Sequence, residues 1–153
     1  MKRVMIYVAL TIAAWALYSA ALGIYSWQRP ELGIVDGQLR PCGTKPNCVC
    51  SQSAAGPHAT QALAIGDEDY AAAFDRARRA VEALPRTALV EAAPGYARYE
   101  CCSFLFRFAD DVEPLLDEPA GVIQVRSASR VGYSDMGVNR KRVEAIRATY
   151  AQR

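Results

Sequence analysis

The sequence predicts an α+β fold: an N-terminal transmembrane helix followed by a two-layer sandwich of an antiparallel sheet with two helices on one face. Three observations support this prediction: an uncharged N-terminal run, a helical apolar pattern after residue 69, and several short alternating segments that end in a second helical pattern. In chain order these are a strand, a helix, several antiparallel strands and a helix. That order favours two packed layers.

The N-terminal run from Val4 to Trp27 contains no charged residue. As a helix it would be about 36 Å long at ~1.5 Å per residue, which exceeds the ~30 Å hydrocarbon core of a bilayer. Lys2 and Arg3 precede the run, and the positive-inside rule places that end in the cytoplasm. Residues 4–27 are therefore expected to cross the inner (cytoplasmic) membrane once, with the C-terminal domain outside the cytoplasm.

A cleaved signal peptide is the alternative, because the small residues Ser19 and Ala21 suit a cleavage site after Ala21. A typical signal core has only ~7–15 apolar residues, whereas this run stays apolar beyond that site, so an uncleaved anchor is preferred. Cleavage would release a periplasmic or secreted protein. Both interpretations place the folded domain outside the cytoplasm.

The chain divides into three parts by composition. Residues 1–27 are the signal-anchor, residues 28–41 are a linker with two prolines and two glycines, and residues 42–153 are an extracytoplasmic α+β domain. A domain of this length can bury a core of its own. The net charge is only +2, which gives no support to a nucleic-acid partner.

Hydrophobic periodicity predicts the elements of the domain. From Tyr70 to Leu84 apolar residues recur at helical spacing, and Asp67 or Asp69 is placed to cap that helix by accepting from backbone N–H groups. A second helix is expected from about Asn139 to the C-terminal end. The predicted strands span residues 61–65, 87–92, 96–108, 112–116 and 122–126.

The segment from Arg126 to Arg142 concentrates cations, serine hydroxyls, a carboxylate, an amide and a phenol, with two glycines that allow the backbone to bend. Guanidinium groups bind carboxylates and phosphates through paired hydrogen bonds, so the segment predicts a polar site for an anionic group. An anionic small molecule, a lipid headgroup or a membrane protein would supply that group. The predicted site consists of Arg107, Arg126, Arg130, Tyr133, Ser134, Asp135, Asn139 and Arg140.

A purely structural polar network is the alternative for the same segment. Strand alternation puts Arg126 and Arg130 on one face of the sheet and two neighbouring serines on the other. Asn139 is expected to cap the last helix, and three cations then follow at the end where the helix dipole disfavours them by a few tenths to ~1 kcal/mol each. Asp135, the acidic middle of the chain or an external anion would offset this cost.

Asp110 and Asp111 allow two interpretations. Beside arginines they could act as the acid–base groups of a hydrolase, which is the enzymatic alternative to a binding or scaffolding module. Adjacent aspartates at a strand end are more often turn residues or ion-pair partners of arginines. His58 is the single histidine and has no evident partners for a nucleophile pair, so no catalytic residue is assigned.

The cysteines also allow two interpretations. A turn-prone spacer separates Cys42 from Cys48, and outside the cytoplasm this pair predicts a short-loop disulfide. Together with Cys50, the same residues could instead bind a soft metal such as Cu(I) in a thiol- or copper-handling protein. Cys101 and Cys102 point to opposite faces of a strand, so both cannot easily join such a site. No metal or cofactor is assigned.

Three segments of this sequence resemble one family. They are Pro41-Cys42 with Lys45-Pro46-Asn47-Cys48-Val49, residues 105–113 and residues 126–147. Over roughly residues 40–150 the chain resembles the family called domain of unknown function 1499, found in bacteria and plastids. The resemblance implies a membrane or export segment, and it brings no established reaction or ligand.

The sequence departs from that family's pattern at three thiols. Cys50 stands where the family has serine, and Cys101-Cys102 replaces a more usual polar pair. No shared activity is therefore assigned to these three cysteines.

Overall fold

A computed structural model of the protein describes residues 1–152. It contains three helices and eight strands over that range. The helices are α1 (Lys2–Ser26), α2 (Tyr70–Glu82) and α3 (Val138–Tyr150). The strands are β1 (Ile34–Val35), β2 (Gln38–Leu39), β3 (Cys48–Cys50), β4 (Leu63–Ala64), β5 (Thr87–Ala93), β6 (Tyr96–Cys102), β7 (Ala109–Asp117) and β8 (Val122–Ser129).

The main sheet has six antiparallel strands in the order β3-β8-β7-β6-β5, and β4 also pairs with β8. The β7–β8 hairpin lies at its centre, with Glu113 opposite Arg126 and Asp110 opposite Ser129. Helices α2 and α3 pack on one face of this sheet. The predicted α+β architecture is confirmed.

The hydrophobic core lies between the sheet and the two helices. Tyr99, Val112 and Val125 point from the central strands toward Phe74 and Val81 of α2 and toward α3, because alternate residues of a strand share a face. Each large apolar side chain buried in this way contributes ~1.5–3 kcal/mol to the free energy of unfolding. The side chain of Asp69 accepts a hydrogen bond from the Ala72 backbone N–H, which confirms one of the two predicted caps of α2.

The opposite face of the sheet is covered by the chain that connects α1 to β3. Residues 28–41, interpreted above as a linker, contain the short β1–β2 hairpin, and Leu39 is buried against Tyr96 and Leu115. The same side of the sheet carries Arg98 and Glu100 of β6, Asp111 and Glu113 of β7, and Arg126 of β8. A polar face is therefore enclosed rather than exposed.

Helix α1 ends against the edge of the domain at which β7 begins and β8 finishes. Ser19, Gly23 and Ser26 form its buried stripe. The Ser26 hydroxyl accepts a hydrogen bond from the Ala109 N–H at 2.9 Å, and Gly23 contributes close packing, since a Cβ there would overlap the carbonyl oxygen of Phe106. Within residues 1–152, α1 is the one helix long and apolar enough to cross a membrane, as an anchor or a signal sequence would be.

The predicted strand over residues 96–108 is too long. Strand β6 ends at Cys102, and residues 103–108 form the loop that joins β6 to β7. The Ser103 N–H donates to the Phe108 carbonyl, and the Ser103 hydroxyl accepts from the Phe108 N–H, so the loop closes on itself. Arg107 adopts φ 56°, a left-handed conformation that no regular strand contains.

The predicted cap of the last helix is also wrong. Asn139 lies inside α3, and Asp135 performs the capping: one oxygen accepts from the Gly137 N–H at 3.0 Å and the other from the Asn139 N–H at 2.7 Å. Gly137 precedes the helix with φ 78°, a conformation that glycine adopts without steric cost. Asn139 is thereby free to turn its amide into the protein.

The Cys42–Cys48 disulfide is present, with 5.6 Å between the two Cα atoms. It closes the loop that leads into β3. Cys50, Cys101 and Cys102 are free and buried.

Alkylation of the unreduced, denatured full-length protein should modify Cys50, Cys101 and Cys102 and leave Cys42 and Cys48 unmodified. Peptide mass spectrometry measures this pattern, and modification of Cys42 or Cys48 would contradict the pairing. Replacing both bonded cysteines by serine should lower the free energy of unfolding by about 2 kcal/mol, because the unfolded chain regains the entropy of a short loop.

Candidate functional site

The sheet divides the polar segment 126–142 into two separate networks. Arg126 and Arg130 point to the face covered by residues 28–41, whereas Ser127 and Ser129 point to the helical face. This is the division that strand alternation predicts. The candidate residues therefore do not converge on one place.

The face beneath residues 28–41 holds the buried ion network, in which three carboxylates of β6 and β7 meet guanidinium groups of β6, of β8 and of the residue that follows β8. Arg130 is its centre: its Nη2 lies 2.6 Å from Glu100 and 2.7 Å from Asp111, and its Nε donates to the second oxygen of Asp111 at 2.7 Å. The members of the network are Arg98, Glu100, Asp111, Glu113, Arg126 and Arg130, with side chains between 0% and 9% exposed.

The segment that follows α1 seals this network from solvent. Arg29 donates to both oxygens of Glu100, at 2.9 and 3.2 Å. The Pro30 carbonyl accepts from Arg98, and the Gly33 N–H donates to Glu113. Arg130 also donates to the Ser26 carbonyl at 3.1 Å, so the end of α1 is itself part of the arrangement.

Arg126 and Arg130 are thus held by carboxylates of the protein itself. Arg126 donates to Glu113 at 2.8 Å, and Arg130 has Asp111 and Glu100. Burial alone would lower the pKa of Arg130, but its hydrogen bonds to Asp111 and Glu100 raise it, so this guanidinium stays charged. We assign both arginines to the stability of the sheet rather than to an external anion.

A second buried network, on the helical face, centres on Asn139. Its Nδ2 donates to the Asn47 carbonyl and to the Ser129 hydroxyl, both at 2.9 Å. Its Oδ1 accepts from Ser127 at 2.7 Å and from Arg142 at 2.6 Å. All four contacts are internal, so this amide joins the first turn of α3 to the residue before β3 and to β8.

Asp110 and Asp111 lie on opposite faces of β7 and cannot act as a pair. Asp110 accepts from Arg142 at 2.6 Å on the helical face, whereas Asp111 belongs to the buried ion network. Burial raises the pKa of Asp110, and Arg142 acts against that increase. Asp110 is also the internal anion that neutralises Arg142, the fifth residue of α3.

The α1 cleft is a cavity of about 310 Å³ between the end of α1, the β6–β7 loop and the β8–α3 loop. Its volume is at the lower end of the range for ligand pockets, ~300–1,000 Å³. It contains two of the predicted site residues, Ser134 and Asp135. The cleft is lined by Leu22, Ser103, Phe108, Asp110, Ser129, Val131, Gly132, Ser134, Asp135, Met136 and Val138.

The other predicted site residues lie outside this cleft. Tyr133 is exposed beside it, and Arg107 is exposed on the β6–β7 loop. Arg140 donates to the Pro57 carbonyl in an open groove, whose other arginine, Arg147, is paired with Glu144. That groove therefore offers less free positive charge than its two arginines suggest.

The thiol alternative loses two of its three cysteines to the Cys42–Cys48 bond. The third, Cys50, is 1% exposed, and burial raises the pKa of its thiol, so it is a poor nucleophile and a poor metal ligand in this state. The ring of His58 hydrogen-bonds to the Cys48 carbonyl at 2.9 Å. We assign these residues to the structure of the β3 region.

Arg29, Arg98, Glu100, Glu113 and Leu22 were not predicted from the sequence as site residues. For the charged residues a signal existed, because Arg98 and Glu100 alternate on β6 as Asp111 and Glu113 do on β7. Matching charge alternation on neighbouring strands indicates cross-strand ion pairs. Nothing in the sequence distinguishes Leu22 from other apolar residues of α1.

Arg130→Ala should lower the free energy of unfolding by about 3–5 kcal/mol, because Asp111 and Glu100 would remain buried without their principal cation. Arg140→Ala is the control: this guanidinium is only partly buried and pairs with no carboxylate of residues 1–152, so its loss should cost no more than about 1 kcal/mol, the contribution of its bond to the Pro57 carbonyl. Urea unfolding of the full chain in detergent micelles measures both. Equal stability of the two variants would refute the structural assignment of Arg130.

Glu100 should make the protein sensitive to acid. The hydrogen bond from Arg29, aided by Arg130 and opposed by burial, holds the pKa of Glu100 below its ordinary value of 4.5. An acid of this kind stabilises the folded state above its ordinary pKa, and that contribution is lost as the pH falls through the folded-state pKa.

The urea midpoint should therefore fall as the pH decreases below 4.5. Glu100→Gln should be less stable at neutral pH, with a shallower decline in acid. Identical declines in the two proteins would show that another group controls acid unfolding.

Comparison with known proteins identifies a family for the domain. A family model described as "Protein of unknown function (DUF1499)" matches residues 38–149, from β2 to the last turn of α3. A search of curated proteins found no match. The match begins after α1 and includes both buried networks, but not Arg29 and the other residues before 38 that cover the ion network. The chain therefore belongs to the DUF1499 family of proteins of unknown function.

Proposed function

We propose that this protein is a membrane-anchored, extracytoplasmic binding module that holds an amphipathic molecule in the α1 cleft. The observation that carries the proposal is the composition and place of that cleft. Leu22 of the proposed anchor forms one wall, four further apolar side chains line the cleft, and five polar side chains lie among them. A molecule with an apolar part and a polar head would find both kinds of contact there.

The contacts of α1 favour an anchor that is retained over a signal peptide that is removed. Ser19 is buried against the domain, and the ring of Trp15 meets that of Phe106 edge-on at 5.3 Å. Cleavage after Ala21 would remove both contacts while leaving Leu22 and Ser26. Lys2 and Arg3 at the opposite end favour the orientation with the domain outside the cytoplasm.

The charge of the cleft favours a neutral or cationic head over an anionic one. Asp110 and Asp135 line it, and among residues 1–152 no lysine or arginine does. Burial would raise the pKa of Asp135, but hydrogen bonds from the Asn139 and Gly137 N–H groups lower it, so this carboxylate stays ionised at neutral pH. The arginines of the sequence predicted an anionic ligand, whereas the cleft favours a ligand whose polar head donates hydrogen bonds.

The polar side chains of the cleft favour binding over catalysis. Asp135 caps α3, Ser129 accepts from Asn139, and Asp110 is paired with Arg142. Each of these groups retains lone pairs for a ligand, yet each is fixed by a structural contact. A hydrolase would need a nucleophile activated by a free base. Ser129 does bond to Asp110 in the cleft, but this carboxylate is already paired with Arg142, so it is a poor base for the hydroxyl.

A photoactivatable monoacylglycerol in nanodiscs tests the proposal on the full-length protein. After irradiation it should label peptides of the two cleft loops, and unlabelled monoacylglycerol should compete. Val138→Trp fills the rim and should reduce labelling severalfold. Val35→Trp is the matched control, because the two valines are 46% and 45% exposed, and it should leave labelling unchanged.

Competition also tests the charge of the head. A long-chain amine or monoacylglycerol should displace the probe at lower concentration than a fatty acid does. Labelling that is equal in Val138→Trp and Val35→Trp, or that does not saturate, would refute the cleft as a binding site. Preferential displacement by the fatty acid would refute the proposed head chemistry.

A further inference from the structure

We propose that the β6–β7 loop, residues 103–108, enters the outer half of the bilayer beside α1, so that the domain contacts lipid through a second element. The same loop forms one side of the α1 cleft, but the inference needs no ligand there; it rests on α1 as a membrane span, which is part of the proposed function. The partner is the acyl region of a bilayer. In this loop Phe104 is 81% exposed and Leu105 is 72% exposed. Contact of these apolar side chains with water is unfavourable, whereas contact with acyl chains is not.

The position of the loop along α1 gives its depth. A hydrocarbon core of ~30 Å that begins near Val4 ends about 20 residues later, close to Gly23. The backbone of Phe106 lies against Gly23, and its ring contacts the ring of Trp15. Trp15 precedes Gly23 by eight residues of α1, so its backbone lies about 12 Å deeper in the core at ~1.5 Å per residue. The loop backbone is thus at the boundary and Phe106 extends toward the acyl chains.

The charges around the loop fit a phospholipid surface. Residues 103–108 include no acidic side chain. Arg107 is exposed within the loop, and Arg86 lies over the Phe104 ring at 5.7 Å while donating to the Cys102 carbonyl. At a membrane boundary, arginines with apolar neighbours extend their guanidinium groups to the phosphates. Arg107, predicted from sequence to meet an anionic group, has its partner here in a lipid headgroup.

The loop is also held in shape before any lipid contact. Both polar groups of Ser103 bond to Phe108, and the Phe106 and Phe108 rings are 5.6 Å apart. The strands on either side are fixed by the buried ion network. Insertion therefore requires little ordering of the chain, which lowers the entropic cost of the contact.

Site-specific labelling of the full chain in phosphatidylcholine–phosphatidylglycerol nanodiscs tests the proposal. An NBD fluorophore on Leu105→Cys reports the loop, and one on Glu118→Cys reports the exposed turn at the opposite end of β7. The free native thiols are buried, and the wild-type protein taken through the same labelling provides the background. Lipid-borne doxyl groups and aqueous iodide serve as the two quenchers.

At position 105 we expect strong quenching by the lipid-borne doxyl groups and weak quenching by iodide. At position 118 we expect weak doxyl quenching and iodide quenching that is severalfold stronger than at position 105. Equal iodide quenching at the two positions would overturn the proposal. Protection of position 105 from iodide without doxyl quenching would also overturn it, because a protein partner or a second copy would then cover the loop. Arg107→Gln should reduce doxyl quenching at position 105 in discs that contain the anionic lipid.

Discussion

The fold depends on the ion pairs that Arg130 makes with Asp111 and Glu100. They join the residue that follows β8 to the adjacent strand β7 and to β6 beyond it, and the same guanidinium reaches the carbonyl of Ser26 at the end of α1. Charges so deeply buried gain little net stability over apolar side chains, because desolvation cancels most of their attraction. What they impose is geometry, since any shift in strand register or in the end of α1 would leave a charge without its partner.

The two polar networks lie back to back across the β7–β8 hairpin. One is sealed by the segment after α1, and the other fixes the first turn of α3 through Asn139. Few of their polar groups remain for a ligand. We propose binding in the α1 cleft, because apolar side chains and polar groups that retain lone pairs occur together there.

Much of the fold could be predicted from the sequence where the pattern is local. The apolar spacing of α2, its Asp69 cap and the β7–β8 hairpin all follow from short-range rules, and so does the division of Arg126 and Arg130 from the serines between them. The errors arose where local patterns are ambiguous. Alternate phenylalanines between residues 104 and 108 imitate a strand, although Ser103 closes a loop there, and Asp135 and Asn139 are both good capping residues.

The site was less predictable because its chemistry depends on contacts between distant parts of the chain. The sequence shows that Arg130 is charged, but its neutralisation requires the register of β6 against β7 and β8. Likewise, the cleft needs α1 to dock on the domain, and no spacing within the sequence reports that contact.

The close packing of Gly23 against the Phe106 carbonyl has a consequence for how the proposed anchor responds to bilayer thickness. Because Ser26 is also bonded to both Ala109 and Arg130, α1 and the domain should move as one rigid body. In a thinner or thicker membrane a free helix tilts on its own. Here the tilt would be transmitted to the whole domain, and the opening of the cleft would rise, sink or rotate relative to the lipid surface.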